Sequence, residues 1–170
     1  MKAKIALLTL FLSSLNLWAA EAIDQTNWMS HPDIDQVRLL HSDVNAAEDR
    51  GELNRQANPC TVNDGAATIN RALYRDKKKL VRKYVLDGGP ADSKTRLEYY
   101  YDEKTVLRFI YRQRTVANGT QKEERVFFGA DGSHLYTDRS ETGPGYPDET
   151  LIDFVLDPEA DFTGPCREQA

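Results

Sequence analysis

The chain has 170 residues, 22 of them basic and 27 acidic, for a formal net charge of −5. That balance argues against a general nucleic-acid binder, whose affinity comes mainly from neutralising phosphates. The length suits one ordinary domain with a single core, and the only two cysteines are Cys60 and Cys166.

Residues 1–22 read as a secretory signal peptide. Lys2 and Lys4 give a positive start, and the run from Ile5 to Trp18 is apolar except for Thr9, Ser13, Ser14 and Asn16. Ala20-Glu21-Ala22 then supplies the small-x-small pattern cut by a signal peptidase. The run is shorter than the roughly 20 apolar residues a bilayer demands, and no second such run follows it. No cysteine stands at the junction to carry a lipid. The expectation is an exported, soluble protein, periplasmic or extracellular, with residues 23–170 forming one domain. Losing Lys2, Lys4 and Glu21 would take its charge from −5 to −6.

Residues 30–51 read as a helix. Ser30 and Asp33 have capping spacing, Pro32 suits a first turn, and Gly51 is a natural stop. Ile34, Val37, Leu40, Val44 and Ala47 recur at three- and four-residue steps, which makes one apolar face. Residues 52–67 read as loop, with Asn58-Pro59 and Asp64-Gly65 as turn signals. Cys60 and Cys166 each follow a proline, which places both on loops. An even count in an oxidising compartment predicts one Cys60–Cys166 disulfide, clipping the tail to the start of the sheet.

From 68 to 139 the texture changes to short β runs. Tyr74-Arg75-Asp76 leads to Leu80-Val81, Tyr100-Tyr101-Asp102 to Val106-Leu107, and Phe127-Phe128-Gly129 to His134-Leu135. Each copy reads as aromatic strand, polar turn and apolar strand, recurring about every 26 residues. Asn118-Gly119 predicts a two-residue type I′ turn. That turn would pair Phe109 with Phe128, Tyr111 with Val126, Arg114 with Glu123 and, at a mild cost, Arg112 with Arg125. Phe109, Tyr111, Val126 and Phe128 would then share one face beneath the helix. Asn118-Gly119-Thr120 is also a glycosylation sequon, but the turn already explains it. Residues 140–170 form a Gly/Pro-rich acidic tail, in which residues 150–156 suit either a strand or a short helix.

Chemistry-bearing motifs are sparse. His31, His41 and His134 stand in no metal-ligand spacing, and no G-x-S-x-G elbow occurs. Asp43 opens like a calcium loop, but Glu48 occupies the place of the required glycine. Glu98, Asp102 and Glu103 are the one hint of a carboxylate pair for sugar hydrolysis. No catalytic residue, metal or cofactor is assigned.

The strongest candidates are for binding. Arg75, Lys77, Lys78, Lys79 and Arg82 make a basic cluster at a predicted hairpin tip, suited to an anionic envelope polymer or an acidic envelope protein. A solvated tip whose lysines block edge-to-edge strand pairing explains the same run. In Tyr99-Tyr100-Tyr101, strand alternation sends Tyr100 to the opposite face from its neighbours. One set must be core; the other, with Tyr100 as the candidate, would form an exposed aromatic platform.

With these residues in hand, the chain resembles a loose group of bacterial exported proteins of unknown function. They are built from tyrosine-rich β-hairpin repeats of the MORN-variant or YD type, with the form Y-Y-x-D-x-x-G-x-L. Tyr100-Tyr101-Asp102 and the stretch from Phe128 to Leu135 carry the resemblance, which spans about residues 33–139. Lys79 and Thr105 stand where the turn glycine would be in two of the three copies. The resemblance implies a hairpin-repeat fold and an exported protein, and no activity.

The expected fold is α+β: an N-terminal helix packed on an antiparallel meander of about six strands, closed by one disulfide. The expected function is a non-catalytic extracytoplasmic binding or inhibitor-like module. The alternatives are an envelope hydrolase with scattered carboxylates and a structural subunit of an envelope assembly. They separate by a carboxylate-lined cleft, an aromatic and arginine patch, or a long uncovered sheet edge.

Overall fold

The structure is a computed structural model that describes residues 22–145, 155 and 157–166. The signal-peptide reading falls almost wholly outside the described residues, as does most of 150–156. Among the described residues no helix is long and apolar enough to cross a membrane.

Helix α1 spans Pro32–Asp49. Its cap is His31, not Ser30: the ring Nδ1 accepts the Asp33 backbone N–H at 3.3 Å. Pro32 fills the first helical position, where a missing N–H leaves nothing unpaired. The helix ends as expected on Gly51, at φ +69°. The Gly51 N–H bonds Glu48 O and the Glu52 N–H bonds Ala47 O, the paired closure that a left-handed residue permits.

Eight strands follow, all antiparallel, where the sequence suggested about six. They are β1 Asn54–Ala57, β2 Cys60–Val62, β3 Ala67–Arg75, β4 Val81–Gly89, β5 Ser93–Tyr101, β6 Leu107–Val116, β7 Gln121–Phe128 and β8 His134–Thr142. The last six are the predicted meander. The two extra strands lie in the segment read as loop, and both pair with β3. The sheet order is β1-β3-β4-β5-β6-β7-β8.

The 26-residue repeat is physical. At the β3–β4 tip, Asp76 Oδ1 accepts the N–H groups of Lys78 and Leu80. At the β5–β6 tip, Asp102 Oδ1 accepts those of Lys104 and Val106. Lys79 and Thr105 sit at φ +66° and +62°, and in the third tip Gly132 takes that place at +81°. Six residues after each aspartate stands an arginine. Arg82 pairs with Asp76 at 3.6 Å and donates to Tyr101 O, while Arg108 pairs with Asp102 at 3.5 Å and donates to Phe128 O. The first two repeats are thereby each tied to the carbonyl that opens the next tip, while the third has Gly129 and Leu135 in those places.

The β6–β7 register differs from expectation by one residue. The loop has three residues, 117–119, closed by the Val116 N–H to Thr120 O and the Gly119 N–H to Val116 O, with Gly119 at φ +87°. A left-handed third residue is the geometry of a bulged hairpin rather than a two-residue turn. Phe109 therefore faces Phe127, Tyr111 faces Arg125, and Arg114 faces Lys122. Arg112 meets Glu124 instead of Arg125, at 2.9 Å. A slip of one residue moves side chains to the other face. Phe109 and Tyr111 stay beneath the helix, and Val126 and Phe128 cross to the far side.

Both faces of the sheet are covered. Ile34, Val37 and Val44 of α1 pack on Tyr100, Phe109 and Phe127. On the reverse, Tyr84, Leu97, Tyr99, Tyr101, Ile110, Val126 and Phe128 pack with Val155 and Phe162. Phe162 belongs to a second short helix, α2 Pro158–Thr163, which the sequence reading lacked. Asp157 caps it by accepting the N–H groups of Glu159 and Ala160. Buried Arg71 bonds Asn58 O, Asp161 O and Gly164 O, and Tyr84 donates to Asp161 Oδ2 at 2.7 Å. The Cys60–Cys166 disulfide is formed and fastens this end of the chain to β2, across a sequence separation of 106.

Candidate functional site

The candidate binding residues of the sequence do not form one surface. Lys77, Lys78 and Lys79 are exposed at the β3–β4 tip. Arg75 is half-buried and engaged by Glu159 at 3.2 Å and by Gln56. Arg82 serves the tip repeat described above. Tyr100 is 0% exposed and Tyr99 and Tyr101 are 1% exposed, so the triplet offers no aromatic platform. The reason is that α1 covers one side and the returning tail the other.

Tyr100 instead anchors a buried polar network between α1 and the sheet. Lys83, 4% exposed, donates to Asn45 Oδ1 at 2.9 Å and Glu48 Oε2 at 2.8 Å, and lies 3.7 Å from Glu98. Its ammonium also sits 5.1 Å from the Tyr100 ring centroid. The Tyr100 hydroxyl donates to Glu98 Oε2, and Arg96 donates to Glu98 Oε1. Burial pushes the Glu98 carboxyl up, but Tyr100, Lys83 and Arg96 together outweigh it and hold it below the usual carboxylate range. A carboxylate so held is a poor proton donor near neutral pH. Asp102 is committed to its turn, and Glu103 is exposed beside it. The three carboxylates noted in the sequence are therefore not gathered around one reacting position.

Next to this network lies a half-enclosed cleft of about 250 Å³. Trp28, in a 3-10 turn at Trp28–Ser30, forms its outer wall. Phe109 of β6 and Phe127 of β7 form the floor, and Val37, Arg38 and His41 of α1 complete it, with Arg125 of β7 at the side. The Trp28 ring stacks on Tyr136 at 5.2 Å and tilts on Phe127 at 5.9 Å. Both arginines lie over aromatic faces: Arg38 over Trp28 at 5.1 Å and Arg125 over Tyr111 at 5.8 Å. Arg125 is engaged by Glu123 and Asp138. Among the described residues Arg38 makes two hydrogen bonds, to Met29 O and Asp35 Oδ1, and both use Nη1.

His41 joins cleft and network. Burial lowers its imidazole below the ordinary range, Glu98 pulls the other way, and Lys83 lowers it further. It is therefore neutral at pH 7. Its tautomer follows from the network. Lys83 can only donate, so the Asn45 oxygen faces Lys83 and the Asn45 amide nitrogen faces His41 Nε2 at 3.0 Å. Nε2 accepts, and the ring proton rests on Nδ1.

A larger groove of about 560 Å³ runs along the β4–β5 loop between Asp87 and Lys94. It is an open channel beside turn backbone, and its Asp87 is already paired with Lys94 and Arg96. The smaller cleft, with three aromatic walls and convergent donors, has the character of a ligand site. Among the described residues, no group of three or more His, Cys, Asp and Glu side chains could hold a metal ion.

The sequence reading gave His41 no role, met Arg125 only as the expected partner of Arg112, and missed Trp28 and Arg38. Arg38 lies beside the apolar stripe of α1, but nothing local links it to Trp28 or to the strands. Comparison of the chain with family models, with curated proteins and with solved structures finds no match in any of the three.

Proposed function

We propose that this is an exported, non-catalytic binding module of the cell envelope or its surroundings, with the cleft beneath α1 as its binding centre. The observation that carries the reading is the cleft's make-up: aromatic walls, donor groups from Arg38, His41 and Arg125, and no carboxylate among its lining residues. The clamped state of Glu98 and the dispersal of Asp102 and Glu103 speak against the hydrolase alternative. The resemblance to exported hairpin-repeat proteins and the disulfide sit well with an oxidising compartment. An envelope protein or an anionic envelope polymer remains the partner we favour for the lysine tip.

One observation favours the structural-subunit reading. Strand β8 pairs with β7 alone among the described residues, which leaves a nine-residue edge. Its charged residues Asp138, Arg139 and Glu141 oppose simple strand addition.

Capture from envelope extract tests the proposal. The immobilised protein is compared with its Arg38→Gln variant and with Lys77, Lys78 and Lys79 all changed to Glu. A species retained at moderate salt and lost with Arg38→Gln supports the cleft. Loss with the lysine variant alone moves the binding centre to the tip. Repeated captures with no retained species would sink the binding reading.

A further inference from the structure

The cleft beneath α1 carries a chemical preference. Every polar group known to line it is a donor. Arg38 commits only Nη1, so the parallel N–H pair on Nε and Nη2 has no partner among the described residues. A planar pair of this kind matches a carboxylate in two-point contact. His41 adds a neutral N–H on Nδ1, because Asn45 occupies Nε2. Arg125 cannot play the same role, since Glu123 and Asp138 already occupy two of its nitrogens. The ion pair of Arg38 with Asp35 lies in solvent, the two side chains being 37% and 56% exposed, so it competes weakly for the guanidinium.

The remaining surface is apolar and aromatic. Trp28, Phe109 and Phe127 present ring faces and edges, with Val37 between them. A cavity of roughly 150 Å³ accommodates benzene. The 250 Å³ here therefore has room for one aromatic ring and a short acidic arm.

We infer that the cleft is a binding site for a small aromatic monocarboxylate, its ring set among Trp28, Phe109 and Phe127 and its carboxylate held by the free edge of Arg38. This rests on the binding reading above and narrows it. A basic ligand would meet only donors, and a neutral alcohol would leave half of the Arg38 edge unmatched. Ring and acid are both required.

Tryptophan fluorescence reads the site directly. The chain has two tryptophans, so a full-length Trp18→Phe protein keeps Trp28 alone, on the wall of the cleft. The probes are 3-phenylpropionate, 3-phenylpropan-1-ol and 3-phenylpropylamine, which differ only in the terminal group. A saturable change with the acid is expected, with the alcohol and the amine weaker by about tenfold or more, as the loss of a two-point charge-assisted contact implies. Adding Arg38→Gln should weaken the acid by a similar factor, and Arg38→Lys should restore only part of it, because a point charge replaces a fork. Both variants lose the contacts of Arg38 with Met29 O and Asp35, and Arg38→Gln also loses the cation over Trp28, so Tm should fall only slightly, and an unchanged emission of ligand-free Trp28 shows that the wall is intact.

Equal binding of acid and alcohol, or an Arg38→Gln protein that binds the acid unchanged, would overturn the ligand class and leave the binding reading standing. No saturable response to any of the three probes would overturn the inference, and the capture experiment would then decide the wider reading by itself.

Discussion

Raising the pH should unfold this protein steeply, and the buried tyrosines set the slope. Tyr84, Tyr100 and Tyr101 are each at most 1% exposed. Burial lifts all three hydroxyls far above the ordinary phenol range, with Asp161 reinforcing the effect at Tyr84 and Glu98 at Tyr100. The folded state thus keeps three protons that the unfolded chain surrenders above about pH 10. A group raised in this way gives its stability in full below the unfolded value and loses it as the pH climbs past. Each proton is worth about 1.4 kcal/mol per pH unit, so three give about 4 kcal/mol per unit. The accumulated loss is about 4 kcal/mol at pH 11 and about 8 kcal/mol at pH 12. Domains of this size have only about 5–15 kcal/mol in total. Urea titrations followed by circular dichroism from pH 8 to 11.5 measure the slope. Tyr100→Phe should lower the starting stability, since its hydrogen bonds to Glu98 and Asn45 go, yet flatten the alkaline slope by about 1.4 kcal/mol per unit. A total loss below about 1.5 kcal/mol between pH 10 and 11.5 would refute the assignment of these hydroxyls to a dry core.

Three further outcomes are expected. Cys60→Ser should cost about 4–5 kcal/mol by chain entropy, read as a lower urea midpoint in oxidising buffer, and alkylation of both thiols in untreated protein would contradict the bond. Thr105→Gly should stabilise by about 1 kcal/mol, because a β-branched residue is held at φ +62° where glycine carries no penalty; calorimetry showing a lower Tm would count against it. Changing Lys77, Lys78 and Lys79 together to Glu should move stability by under about 1 kcal/mol, and a large drop in Tm would mean the tip is packed against something.

How much of this was written plainly in the chain depends on whether the signal was local. The helix was legible because its stripe from Ile34 to Val44 meets one surface. Two of the three tips were legible because an aspartate, Asp76 or Asp102, and a residue three further on define the turn; in the third, Gly129 and Gly132 hold those places. The β6–β7 register was not. Asn118-Gly119 fits a two-residue and a three-residue loop alike, and the choice rests on where Val116 and Thr120 close. Strands β1 and β2 were hidden because they bury little: Asn54–Ala57 is exposed throughout, and only backbone pairing with β3 makes it a strand. The fate of Tyr100 could not be read from alternation, which says that neighbours point opposite ways but not that both sides are covered. The cleft was least legible of all. Trp28, Arg38, Phe109 and Phe127 come from four separate elements, and only the finished packing brings them together.

The arginine that reaches from each tip turn to the next pair of strands has an implication for how such a chain could arise. Arg82 and Arg108 make the same two bonds one unit apart. A unit of tip turn plus two strands therefore carries its own connector to its successor. Duplicating it in frame would add two strands and one more arginine link, with the pairs that β7 now makes to β8 passing to the copy. The length of this sheet is in that sense a copy number.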